Sequence, residues 1–479
     1  MISCLHRFLS NVRLFFRFSF QITLLITIGG FLGASGNVEG INSPENFSNE
    51  ISLNPIVLLA ADLTNDYVGD VIWGSKDLIL AFDGNLPFHG DPRDIIWLNT
   101  STISEFKAVK AIESQGKMTS LVVANSTAIG LIGVRDGVES RVISTHPMII
   151  SQIAGGFMNA DPKPDIIAAT EDGNLLCFDS SGDSLWNHTT SETIRALAVG
   201  DLDGKNQEDV VAAYENEIIA FRGSNGDVLG NWSISSEATH FLIGPLNKNP
   251  TEYGFVVLEA NGVGSAYITA ETAPLWSTLI STEAIWKGLS PIFSENEKLD
   301  FVAAAKNGLV ARMNRTSGEP IWTRNLSVEI SGDVIVSNIT AGEALDLVLP
   351  TPNGTIMLSG EGGTTLSHFR FPGETKFAMS ADWNNDTVAD IGAATSDGWL
   401  FSFDYLTGLP IWSFQIANQF GLANEGPYSN VDSSIPDGSN SDIAQGNDEP
   451  NLPIAEVLIV VVILMLGILV IFGIKRRML

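Results

Sequence analysis

The stretch Ala196-Leu-Ala-Val-Gly-Asp201-Leu-Asp203-Gly-Lys-Asn-Gln-Glu-Asp209-Val-Val-Ala-Ala-Tyr-Glu-Asn-Glu217-Ile-Ile-Ala-Phe221-Arg-Gly-Ser-Asn-Gly-Asp227-Val-Leu-Gly-Asn-Trp232 decides the fold. Residues 196–199 read as a strand, 201–209 as a polar turn, 210–213 as a second strand and 217–221 as a third. Ser224-Asn225-Gly226-Asp227 turns the chain, and a fourth strand begins at Val228. Four short β-rich runs separated by turn chemistry make one antiparallel blade.

Working outward, the same pattern recurs. An aspartate followed by a hydrophobic run stands at Asp70, Asp165, Asp209, Asp300, Asp346 and Asp390, with degenerate copies at Ser120-Leu-Val-Val and Tyr253-Gly-Phe-Val. The intervals between copies are 50, 45, 44, 44, 47, 46 and 44 residues. A period of this size means one supersecondary unit stacked many times, each copy burying its faces only against its neighbours. The fold class is therefore all-β: a seven- to eight-bladed β-propeller of four-stranded blades over residues 57–421, joined to a single C-terminal transmembrane helix. Six tryptophans, Trp97, Trp186, Trp232, Trp276, Trp322 and Trp412, follow the aspartates at a similar distance. Periodic indoles of this kind pack between blades and give their N–H to a backbone acceptor.

The flanks differ in kind. Residues 18–33 form an apolar stretch behind Arg7, Arg13 and Arg17 and ahead of Ala34-Ser35-Gly36, so 1–36 read as a signal peptide or signal anchor and 37–56 as a lead into the propeller. Residues 422–452, rich in Ser, Asn, Asp, Gly and Pro, read as a disordered stalk. Residues 453–474 contain the uncharged run from Val457 to Ile474, long enough to cross a bilayer. Lys475, Arg476 and Arg477 then assign 475–479 to the cytoplasm and the large middle to the outside. The expected location is the cell membrane, single-pass, with a large ectodomain.

Charge fits that partition. The chain holds 26 basic and 55 acidic residues; six of the basic ones and one acidic one lie in the flanks, leaving 20 against 54, a net −34, for the exported part. Such a surface repels nucleic acid and favours cations. Asn-x-Ser/Thr sequons at Asn46, Asn99, Asn125, Asn187, Asn231, Asn314, Asn325, Asn338, Asn353 and Asn385 all fall in the exported part and are expected glycosylation sites. With only Cys4 and Cys177 in the chain, and Cys4 ahead of the export signal, the ectodomain has no internal disulfide.

The first half of each copy resembles the integrin-α type repeat known as FG-GAP or VCBS. The second half, as in Phe403-Asp404-Tyr-Leu-Thr407-Gly408-Leu-Pro-Ile-Trp412, is similar to the repeat of pyrroloquinoline-quinone propellers. These families share an architecture across adhesion proteins, scaffolds and dehydrogenases, so the resemblance implies a propeller and leaves function open. The FG-GAP likeness implies calcium in the turn before the aspartate, held by oxygens at the first, third, fifth and ninth positions and a carbonyl at the seventh. Asp62, Thr64, Asp66, Val68 and Asp70 fit that set, as do Asp382, Asn384, Asp386, Val388 and Asp390. Hard oxygen ligands on a short loop suit Ca²⁺, in a structural role. Asp201, Asp203 and Asp209 keep three positions, but Lys205 stands at the fifth; Asn159, Asp161 and Asp165 lack the first.

The quinone-enzyme likeness implies a vicinal cysteine pair, which a lone ectodomain Cys177 cannot supply. His6, His89, His146, His188, His240 and His368 show no zinc-ligand spacing, and the sequence has neither a nucleophile elbow nor a phosphate loop. No catalytic or cofactor-binding residue stands out. The reading is a membrane-anchored extracellular propeller acting as a binding, adhesion or scaffold module, with a surface protein or glycan as partner and no nucleic acid. The alternative is a quinone-dependent dehydrogenase-like enzyme.

Overall fold

The structure, a computed structural model, describes residues 52–416 apart from 86–94, 100–102, 104, 115–116, 191, 247–251, 283–284, 294–298, 341–343 and 372. The expected signal (1–36), stalk (422–452), transmembrane segment (453–474) and tail (475–479) lie outside the described residues, as does most of the lead. Among the described residues, no helix is long and apolar enough to cross a membrane.

Thirty-two strands run from Pro55 to Gln415 and form eight sheets of four. Every sheet is a meander of four consecutive strands, so the fold is an eight-bladed β-propeller: blade 1 spans 55–99, blade 2 108–144, blade 3 150–189, blade 4 196–233, blade 5 238–279, blade 6 286–325, blade 7 335–370 and blade 8 375–415. The first strands of successive blades touch around the axis, and that of blade 8 (Thr375–Ala381) meets that of blade 1 (Pro55–Ala61), closing the ring. Among the described residues no strand is exchanged between the chain ends, because blades 1 and 8 are each built from their own four strands.

The second strands show why both faces of a blade must be covered. Residues 70–75, 165–170, 209–213, 346–351 and 390–395 are buried along their whole length. Continuous burial of β-branched and small apolar side chains is what a strand sandwiched between neighbouring sheets requires. The core is accordingly a series of layers between blades. One layer joins Ile72 and Trp97 of blade 1 to Leu121 and Ile132 of blade 2, and another joins Val256 and Trp276 of blade 5 to Phe301 and Met313 of blade 6.

The periodic tryptophans are the most regular contact between blades. Trp97, Trp186, Trp232, Trp276 and Trp322 donate their indole N–H to Val134, Gly223, Glu271, Arg315 and Gly360 in the following blade, at 2.5 to 3.0 Å. In four of these pairs a glycine of the same turn lies against the ring with positive φ: Gly137 (65°), Gly226 (74°), Gly318 (69°) and Gly363 (65°). The sixth indole, Trp412 on blade 8, has no partner for its N–H among the described residues; it meets Trp383 edge-on at 5.5 Å. In blade 5 the first-strand bulge between Ala238 and His240, opposite Glu259, puts Gly254 where other blades have aspartate, one residue beyond the sequence assignment to Tyr253.

The glycines separate two costs. Gly318 and Gly408 share φ of 69°, but a Cβ on Gly318 would overlap the Trp276 ring, whereas nothing lies within 4 Å of one on Gly408. Gly408→Ala should therefore cost only the left-handed backbone penalty, about 1 kcal/mol. Gly318→Ala should cost at least about twice that, since the indole must leave its site. Equal melting temperatures for the two variants would show that the Trp–Gly contact contributes nothing.

Candidate functional site

All six repeat aspartates are buried at 2% exposure or less, and in most blades backbone N–H groups explain how they tolerate it. Asp70 Oδ2 accepts from Leu63 N–H (2.7 Å) and Thr64 N–H (3.0 Å), and Oδ1 from Gly84 N–H (2.9 Å). Asp209 accepts from Leu202 and Gly223, Asp346 from Thr340 and Gly360, and Asp165 from Met158 and Asn159. Each carboxylate thus ties the turn between strands 1 and 2; in blades 1, 4 and 7 it also ties that turn to the one between strands 3 and 4. Blade 6 solves the problem differently: Asp300 pairs with the buried Arg312, whose Nη1 also donates to Gly360 O of blade 7 at 2.7 Å.

Three of the turns share one backbone shape. The fourth and sixth residues have positive φ in each: Asn65 (61°) and Tyr67 (72°), Gly204 (72°) and Asn206 (58°), Asn385 (58°) and Thr387 (72°). The first aspartate dictates this by gathering N–H groups, as an Asx turn does. Asp62 accepts from Asp66 (3.1 Å) and Tyr67 (3.2 Å), and Asp382 from Asp386 (3.2 Å) and Thr387 (2.8 Å). Asp201 accepts from Gly204 (2.7 Å) and Asn206 (2.9 Å). Asp66 and Asp386 then accept from Val68 and Val388 two residues on, and Asn384 from Asp386. Thr64 is exposed and offers its N–H to Asp70.

The carboxylates come together most closely where the sequence ranked them lower. Among the described residues, the one group of three acidic side chains with oxygens within 4.8 Å of one another is Asp201, Asp203 and Asp209. The two turns that match the full ligand pattern do not draw their aspartates so close. Sequence reasoning missed Arg222. It reaches Asp203 Oδ2 with Nη1 at 3.1 Å, beside Lys205, so this cluster carries its own positive charge. The signal was an arginine just after the third strand, where blade 1 has Asp83 and blade 8 has Asp404.

The turns of blades 8 and 1 meet at the ring closure. Gly69 N–H donates to Asp382 O at 3.0 Å, the same bond that Glu208 N–H makes to Phe157 O between blades 3 and 4 at 3.1 Å. A Cβ on Gly69 would overlap Ala381, and Phe82 packs edge-on against Phe414 at 4.9 Å.

The expected sequons divide by position. Asn187, Asn231 and Asn325 are exposed on outermost strands, and Asn338, Asn353 and Asn385 are exposed in turns. Asn125 and Asn314 are half-buried, with Oδ1 accepting turn N–H groups. Asn99 is buried and its Nδ2 donates to Gly137 O at 2.6 Å, a bond that a glycan on that nitrogen would displace. Asn46 lies outside the described residues. Cys177 is wholly buried, and burial pushes its thiol pKa far up, leaving it protonated and unreactive.

Comparisons with known proteins add the fold. No protein-family model matches the sequence, and no curated protein matches it. Among solved structures, the chain is similar to Sqt1 of Saccharomyces cerevisiae, with a TM-score of 0.56 and 11% identity over 73% of this chain and 95% of that one. It is also similar to BamB from Moraxella catarrhalis, at 0.47 and 14% over 74% and 98%. The C-terminal WD40 domain of Sif2 aligns at 0.45 and 16% over 62% and 83%. At these identities the likeness to Sqt1 shows the propeller architecture and nothing more specific.

The buried aspartates set a pH dependence. Burial raises the carboxyl pKa of Asp165 and Asp209 to about 6 and of Asp390 to about 7. Asp390 moves furthest, with its Oδ1 lacking a partner of normal hydrogen-bond geometry. Unfolded aspartates titrate near 3.9, so between about pH 4 and 7 the folded ring holds protons that the unfolded chain releases. Stability from these groups is full below that window and is lost as pH rises through it. In chelator, the melting temperature should fall from pH 5.5 to pH 8, and Asp390→Asn should flatten the upper part of the slope. A melting temperature that climbs across this range would contradict the assignment.

Proposed function

We propose that the chain is a membrane-anchored, cell-surface propeller that binds a protein partner on the face bearing the aspartate turns, near the junction of blades 8 and 1. The observation that carries this reading is Tyr67. It is 84% exposed and sits in the left-handed region in the blade 1 turn, with Leu406 and Leu409, each 63% exposed, on the blade 8 turn of the same face. Non-glycine residues enter that region at a cost of roughly 1–2 kcal/mol, and an aromatic ring left in water there gives the fold nothing in return. Exposed aromatic and aliphatic side chains ringed by polar turns are what a protein interface buries on binding. The apolar segment Val457–Ile474 and the exposed sequons support display outside a membrane.

Calcium belongs to the same proposal. The turns at 62–70 and 382–390 share the backbone of 201–209, but Lys205 and Arg222 supply positive charge only in the latter. Asp62, Asp66 and Asp70, and Asp382, Asp386 and Asp390, would hold the ion with Thr64, Asn384 and the Val68 and Val388 carbonyls, as in the FG-GAP repeat they resemble. An ion there offsets carboxylate repulsion at the ring closure. Calcium should raise the melting temperature of the full chain in detergent and reduce its pH slope, since a cation keeps the carboxylates ionised. An identical melting curve in calcium and in chelator would remove the metal from this proposal.

Tyr67→Asn tests the interface. Asparagine occupies the same position at 206, so the change should stabilise the ring by up to about 1 kcal/mol. Combined with Leu406→Ser and Leu409→Ser, it should abolish capture of a partner that the wild-type full chain retains from cell-surface extracts. Equal capture by both, with both folded, would place the interface elsewhere.

A further inference from the structure

The opposite end of the channel, where the first strands begin, carries a ring of cations. In blades 1, 3, 5, 6 and 8 the first strand bulges at one common level, leaving an extra residue outside the ladder: Ile56, Ser151, Thr239, Lys287 and Lys376. In blades 2, 4 and 7 the corresponding residue gives its N–H to the second strand: Lys107 to Ala124 O, Arg195 to Ala213 O and Ser331 to Pro350 O. Around the mouth the residues therefore alternate. Blades 2, 4, 6 and 8 present Lys107, Arg195, Lys287 and Lys376, and the odd-numbered blades present neutral side chains. None of the four cations is buried.

Two further observations bear on this mouth: the channel is narrow enough for charges to act across it, and the cations are only partly compensated. Lys110, on blade 2, and Lys287, on blade 6, both act electrostatically on His240 of blade 5, as does Asp333 beside blade 7. Groups from blades that are not neighbours feel one another only across the axis. Compensation is incomplete: Arg195 stands 3.9 Å from Glu237 and Lys376 2.6 Å from Glu374, while Lys107 and Lys287 make no ion pair among the described residues. Like charges around a narrow opening repel, and a chain with 55 acidic and 26 basic residues has no need of clustered cations for solubility. Bulges are a device for re-aiming single side chains at a site.

We propose that this mouth binds a ligand carrying two or more phosphate groups, entering end-on along the ring axis. Three of the four cations are lysines. Lysine is a compact point charge that meets phosphoryl oxygens from any direction, and the planar fork of the fourth cation, Arg195, can take a phosphate bidentately. Four cations on alternate blades approach one ligand from four sides, which rewards several charges on a single molecule. Such phosphates could belong to a soluble polyphosphate or to a lipid headgroup. The fourth strand of blade 8 (Pro410–Gln415) ends on this face, ahead of the apolar C-terminal segment.

The test uses the full chain in detergent at low salt, titrated calorimetrically with tripolyphosphate and, separately, with a water-soluble short-chain phosphatidylinositol bisphosphate. Binding of either supports the site, and the tighter of the two names the source. Lys107→Gln with Lys287→Gln should weaken binding at least about tenfold. Glu237→Gln, which frees Arg195, should tighten it severalfold, and it keeps the test decisive if the double variant fails to fold. Lys163→Gln, on the aspartate-turn face, should change nothing. Binding of neither probe, an equal loss in Lys163→Gln, or octaglutamate binding as tightly as tripolyphosphate would overturn the proposal.

Discussion

A carboxylate buried among backbone N–H groups is the constraint on which the blade depends. Turns between short strands leave unpaired amides, and an unpaired buried amide costs about as much as a lost hydrogen bond. Asp70, Asp209 and Asp346 each satisfy two turns at once, one on either side of the second strand. That fixes the register of the meander where it would otherwise slip. The arrangement is under electrostatic tension, because burial favours the protonated acid while the N–H groups favour the anion. Blade 6 shows how closely the two sides must balance: without a glycine amide fourteen residues on, Asp300 takes a guanidinium from Arg312 instead. Removing either partner of that pair would strand a buried charge, at a cost of about 3–5 kcal/mol.

Blades so built must still be held together, and the ring does this with one repeated contact. An indole on the outermost strand reaches a carbonyl of the next blade and lies against a glycine that only a left-handed backbone can place there. The contact fails in a regular way. The outermost strands of blades 2 and 7 (Glu139–Ser144 and Thr365–Arg370) carry no tryptophan, and Gly408, in the turn of blade 8 that faces blade 7, has open space where an indole would lie. At the closure itself, Trp412 turns to Trp383, and the Gly69–Asp382 backbone bond and the Phe82–Phe414 contact join the chain's two ends. Those are noncovalent terms of ordinary size, so the closure is where an added cation between facing turns would matter most.

The two ends of the channel differ in chemistry because they are made of different parts. One is built from turns rich in aspartate, where the side chains serve the backbone. The other is built from strand starts, where in five of the eight blades a bulge releases one side chain from the ladder. The first end is the one we propose for a cation and an apolar partner, the second the one we propose for an anion.

The sequence by itself determined the all-β repeat, seven to eight copies of it, the aspartate register and the interblade role of the tryptophans; the structure made the count eight. The sequence could do so because these depend on period and on the identity of single residues, which a chain displays directly. It also showed that residues 62–70 and 382–390 belong to neighbouring copies across the closure, since a ring must join first to last. Only the tertiary structure decided what the turns share and how they differ. The common left-handed residues at 65 and 67, 204 and 206, and 385 and 387 share an identity only at Asn65 and Asn385. Arg222 answers Asp203 across 19 residues, a pairing that strand order creates and linear spacing hides. The ring of Lys107, Arg195, Lys287 and Lys376 was equally invisible. Those residues stand 88, 92 and 89 apart, about two repeats each, but only the closed ring shows that alternate blades bring these strand starts to one mouth, directly in blades 2 and 4 and through a bulge in blades 6 and 8.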